Sequence, residues 1–143
     1  MKKLLTLGIL LSMSSLACAA SMQSLDKSQV TKAMEDKTIT TISLTTLNDQ
    51  MMNNAFTGYF NKNGQIQGKF ATKPDNDPQT DDGKWEVKSD GTLCVTWQHW
   101  QQSKPICVSL YHLKNGYVFV NNSTKKIETI VLDSDVKTGN QMS

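Results

Sequence analysis

Two cysteines, Cys94 and Cys107, each lie inside a strand-like run, Thr92–Trp97 (TLCVTW) and Pro105–Tyr111 (PICVSLY). If Cys94 is set opposite Cys107 in an antiparallel hairpin, paired residue numbers add to 201. Val95 then faces Ile106, and Leu93 faces Val108. One register therefore pairs the thiols and matches the apolar neighbours, and directly opposed antiparallel residues have the short Cβ separation a disulfide needs. Twelve residues intervene, unlike the two of a C-x-x-C redox or zinc motif, so the pair reads as a structural bond. Such a bond points to an oxidising compartment.

The N-terminus supplies an independent argument for export. Lys2 and Lys3 precede the apolar stretch Leu4–Leu11, and Ala17-Cys18-Ala19 forms an A-x-A cleavage site. Residues 1–19 are thus expected to be a cleaved signal peptide, and 20–143 a single β-rich domain in the periplasm or outside the cell. Ser15–Cys18 also resembles a bacterial lipoprotein box; in that alternative Cys18 becomes lipidated and anchors the protein to the envelope. No segment approaches the ~20 apolar residues of a membrane-spanning helix.

Cleavage after Ala19 leaves 124 of the 143 residues with 13 basic and 13 acidic groups. All 15 basic residues of the full chain are lysines. The planar guanidinium that reads phosphate and guanine is missing, and no basic patch replaces it, which argues against a nucleic-acid partner.

The pattern over 26–36 predicts the one helix: Asp26 as cap, Gln29 as its box partner, and Val30, Ala33 and Met34 on one face. After Lys37 the period changes to two. Strand-like runs follow at 38–47, 55–61, 65–71, 84–88, 92–97, 105–111, 117–121 and 127–133. Asn63-Gly64, Asp90-Gly91 and Asn115-Gly116 separate neighbours with the residues that tight hairpins favour. The segments 48–54 and 73–83 read as long breaks. The expectation is a mainly β fold: an antiparallel up-and-down meander of about eight strands, barrel-like, with one short N-terminal helix.

The chain resembles an uncharacterised family of small exported bacterial proteins, a domain of unknown function. The matching residues are Lys37-Thr38-Ile39, Tyr59-Phe60, Asn63–Gly68, Gly83–Val87, and above all Asp90–Trp97 (DGTLCVTW) followed by Cys107. The resemblance implies a disulfide-bearing exported β-domain and carries over no catalytic residue. Asp36 stands where the family pattern has glycine, and the 98–104 turn is longer and richer in aromatics.

His99 and His112 are the only histidines, and neither has the spacing of a metal site or a Ser-His-Asp grouping. No catalytic residue, metal or cofactor is expected. The acidic loop 74–83 opens like an EF-hand, but Pro78 and Gln79 replace a ligand and the glycine, so it reads as a solvated turn. In the 201 register the hairpin tip falls between Trp100 and Gln101. The indole either stands exposed as a partner's anchor, with His99 and Gln101 beside it, or folds back over the barrel rim. Tyr59, Phe70, Trp85, Trp97 and Phe119 are candidates to line an interior cavity, although aromatics on alternating strands more often simply fill a core. The expected role is non-catalytic binding of a small apolar ligand. The runner-up is a protein-protein module, such as an inhibitor of a foreign hydrolase, acting through the 98–104 turn.

Overall fold

The computed structural model describes residues 22–143. The signal-peptide reading, its cleavage site and Cys18 lie outside the described residues.

The chain forms helix α1 (Lys27–Met34) and strands β1 (Lys37–Thr40), β2 (Thr45–Leu47), β3 (Gln50–Met52), β4 (Phe56–Phe60), β5 (Gln65–Phe70), β6 (Thr80–Val87), β7 (Leu93–Trp97), β8 (Ile106–Leu113), β9 (Gly116–Asn121), β10 (Ile127–Leu132) and β11 (Val136–Thr138). Nine of these make one antiparallel sheet in the order β10-β9-β8-β7-β6-β5-β4-β1-β11. It is an up-and-down meander, as alternating short runs with local connections dictate, and it curls until it is nearly closed into a barrel. At the seam, the chain just beyond β1 meets β10: the Ile42 amide donates to the Ile130 carbonyl at 3.0 Å. The Thr129 hydroxyl donates to the Leu44 carbonyl beside it.

Cys94 and Cys107 are directly opposed and disulfide-bonded, with Cα atoms 4.1 Å apart. Leu93 pairs with Val108 and Val95 with Ile106, as the sequence predicts. The ladder stops there, however. Trp97 pairs with Gly83 of β6 and has no partner on β8, so residues 98–105 form a wide turn in place of a tight tip.

Helix α1 is shorter than the predicted 26–36. Asp26 caps it by accepting from the Gln29 amide, while the Gln29 side chain accepts from the Asp26 amide. Val30 and Met34 are fully buried beneath it. The helix ends because Asp36 adopts a left-handed conformation, φ 57°. Aspartate is among the few residues other than glycine that tolerate it. Asp36 is held there by the Tyr59 hydroxyl, which donates to its Oδ1 at 3.0 Å. This hydrogen bond, partial burial and the Asp36 charge all raise the Tyr59 pKa.

Two elements went unread in the sequence. The segment 48–54 holds the turn and second strand of a hairpin, β2–β3, whose turn residues Asn48 and Asp49 both take positive φ. Short hairpins of this geometry favour Asn and Asp at both central positions. The last strand, β11, adds to the outer edge of β1.

The barrel's two ends are closed differently. Along β7, Leu93 lies toward α1, where Gly91 packs on Leu25 and Asp26. At the far end of β7, Trp97 meets Trp100 of the wide turn. The β2–β3 hairpin covers the same end as that turn, where the Gln101 side chain accepts from the Asn48 amide at 3.1 Å.

Candidate functional site

The turn end opens into a half-open cavity of about 110 Å³ that reaches inward as far as Leu93 and Val108. Its walls are mostly apolar: Phe56, Phe70, Trp97, Trp100, Phe119 and Leu47 are among the side chains that face it. Phe70, Trp97 and Phe119 thus belong both to the buried core and to the cavity wall. Tyr59 and Trp85 do not. Tyr59 is out of phase with Phe56 and Phe60 on β4 and turns away from the interior to reach Asp36. Trp85 is buried, but it packs edge-on against Phe60 and donates its indole N–H to the Asn61 carbonyl, away from the cavity.

Trp100 takes the folded-back course and is only 1% exposed. The reading of Trp100 as an exposed anchor is thereby corrected. Its ring lies 4.8 Å from those of both Phe70 and Trp97 and 6.1 Å from Phe56, all edge-on. Its indole N–H donates to the Pro78 carbonyl at 2.8 Å, which ties the acidic loop onto the barrel rim. The physical reason is burial: an indole has one donor to satisfy, and here a carbonyl satisfies it within a cluster of rings. Gly68 makes the cluster possible, since a Cβ on it would lie within 2.8 Å of Trp100, Trp97 and Phe56.

Asp81, at the start of β6, holds the turn in this course. Its buried carboxylate accepts from the backbone amides of His99 and Trp100 at 2.8 and 2.9 Å, and from the His99 ring at 2.9 Å. Burial pushes the Asp81 pKa up. The amides of Trp100 and His99, the His99 ring and the Asp82 amide outweigh that and hold the carboxyl below the usual carboxylate range. Beyond Trp100, Gln101, Gln102 and Ser103 all have φ near 56°. Left-handed backbone costs roughly 1–2 kcal/mol for a residue with a Cβ, so three in a row need an external hold.

Gln101 stands between the cavity and an outer depression of about 270 Å³, and it borders both. Its amide N–H2 faces the Thr46 carbonyl and its oxygen faces the Asn48 amide. His99 itself is exposed; its ring contributes to holding Asp81 and does not face the cavity.

The residue missed in the sequence is Glu128. It is 7% exposed and lies in the cavity wall. The register shows why. Ile127 pairs with Val120 and Thr129 with Phe119, so Glu128 is one extra residue, a bulge in β10. A bulge brings consecutive side chains toward one face, and both Glu128 and Thr129 border the cavity. Strict alternation would separate them, and no signal in the sequence marks the bulge. Asn121 donates to Glu128 Oε1 at 2.7 Å, whereas Oε2 has no partner.

No group of three or more metal-ligating side chains converges among the described residues. Asp77 of the acidic loop instead accepts from the Asn48 side-chain amide at 3.1 Å. No described helix is long and apolar enough to cross a membrane. Comparison with family models, curated proteins and solved structures finds no match to this chain.

Proposed function

We propose that this is an exported, non-catalytic binding protein that holds a small apolar ligand inside the turn end of its barrel. The observation that carries the reading is the aromatic-walled cavity itself, bordered by a hairpin and a strained turn. Small-molecule sites are typically concave and mostly apolar with a few polar groups, and this apolar hollow of about 110 Å³ has that character. Its size restricts the occupant. Drug-sized ligands need ~300 Å³ or more, whereas an apolar cavity of ~150 Å³ takes benzene. The ligand is therefore a molecule of a few heavy atoms, or the end of a longer one whose remainder lies in the outer depression beyond Gln101.

The Cys94–Cys107 bond and the resemblance carried by Asp90–Trp97 both fit an exported protein. The runner-up, docking on a partner protein through the 98–104 turn, has lost its anchor because Trp100 is buried.

Titration with toluene or xenon, followed by amide NMR, tests the reading. Shifts should gather on Leu47, Phe70, Trp97 and Phe119. Saturating probe with no shift at these positions would reject the cavity as a site.

A further inference from the structure

We propose that the ligand carries an amino group, and that the Glu128 carboxylate is its counter-ion. The inference rests on the cavity reading above and specifies the chemical class of the occupant: a small alkyl- or arylamine.

Among the described residues, two buried side-chain polar atoms lack a hydrogen-bond partner, Glu128 Oε2 and Asn48 Oδ1. Both are acceptors, and both lie at the turn end. Glu128 is in the cavity wall, and Asn48 borders the outer depression on the other side of Gln101. The Asn48 amide orientation is set by its N–H2, which donates to Asp77. A buried carboxylate oxygen without a donor is costly, so a site that keeps one is built to receive a donor.

The threonines of the wall have the same bias. Thr41 donates to the Ile42 carbonyl and accepts from the Phe56 amide. Thr45, 3.0 Å from the Thr41 oxygen, can then give it its proton. Thr129 donates to the Leu44 carbonyl. With their protons so placed, the hydroxyls of Thr45 and Thr129, both in the cavity wall, are left with acceptor capacity. No lysine or histidine lines the cavity to neutralise Glu128. An ammonium supplies three donors and a positive charge to a wall of acceptors. A carboxylate ligand would meet like charge, and a neutral hydrocarbon would leave Oε2 unpaired.

The bulge in β10 strengthens the assignment. It inserts the very residue, Glu128, that joins Thr129 in the cavity wall, and bulges characteristically re-aim side chains beside binding sites.

The test uses three water-soluble probes with the same four-carbon chain: n-butylamine, 1-butanol and butyrate. Each is titrated into the protein with its disulfide intact and followed by amide and indole NMR. Butylamine should bind at least about tenfold more tightly than butanol, in line with a charge-assisted hydrogen bond replacing a neutral one. Butyrate should not bind. In Glu128→Gln, which keeps the oxygen facing Asn121, the amine's advantage should disappear while butanol binding is retained. Equal or weaker binding of butylamine in the wild type overturns the amine assignment and leaves the apolar cavity standing. So does an advantage that survives Glu128→Gln. If no probe shifts the cavity residues, and toluene and xenon do not either, the cavity reading fails as well. The wild-type preference is measured without any variant, so a misfolded Glu128→Gln cannot shield the proposal.

Discussion

The barrel is stoppered at both ends, and the two stoppers obey different rules. At the α1 end, local preference and packing agree. A capping box starts the helix, Val30 and Met34 are fully buried, and the Leu25 amide donates to Leu110 across to the sheet. At the turn end they conflict. Three consecutive residues stand in left-handed backbone, two buried acceptors lack partners, and a cavity is left open. Strain and unsatisfied polarity of this kind gather at functional sites, where surrounding structure enforces them. The contrast separates the part of the molecule that holds it together from the part shaped for something else.

The sharpest way to break the contrast is to remove what enforces the turn. Trp100→Ala deletes a fully buried indole and should cost about 3–5 kcal/mol in urea unfolding. A loss below about 1 kcal/mol, the range of ordinary surface changes, would mean that the ring cluster does not hold the turn. Next comes the Cys94→Ser/Cys107→Ser pair, which should lower stability by about 3 kcal/mol in the chain-entropy account of a loop this size. It should do so without abolishing probe binding, because the bond joins β7 and β8 outside the cavity wall.

Asp81→Asn removes charge-assisted acceptors from the His99 and Trp100 amides and should cost about 1.5–3 kcal/mol at neutral pH. Its pH signature is more telling. The Asp81 pKa is lower folded than unfolded, so its contribution is fully present above the unfolded value, about 3.9. It is lost as pH falls below that value toward the folded one. The wild type should therefore weaken in acid more steeply than Asp81→Asn, and parallel acid profiles would show that Asp81 does not clamp the turn. Smallest is Asp26→Ala at the opposite end, about 1 kcal/mol, read from urea midpoints. Probe binding should be unchanged in this variant; weakened binding would show that the two ends are coupled.

The difference between the ends also explains what was legible. The helix start could be read because Asp26 and Gln29 report a purely local geometry. The 201 register could be read because one alignment satisfied thiols and apolar faces together. The Trp100 position could not be read, because it depends on Asp81 and Pro78, about twenty residues earlier, and on the space that Gly68 leaves. Period-two reasoning put Phe70, Trp97 and Phe119 inside the barrel without deciding between core and cavity wall. It gave Tyr59 no separate treatment although its phase opposes Phe56 and Phe60. Glu128 was invisible for a stronger reason: an extra residue in one strand reverses the alternation on which the reading relies. The Asn48-Asp49 turn, by contrast, carried a usable signal, since both residues favour positive φ and short strands flank them.

The near-closure of the sheet has its own consequence. Where Ile42 donates to Ile130, the staves are joined over a much shorter stretch than between any pair of consecutive meander strands. Breathing motions should part the wall there first, beside the bulged glutamate. The Ile42 amide should then be the earliest in that wall to trade its proton for deuterium.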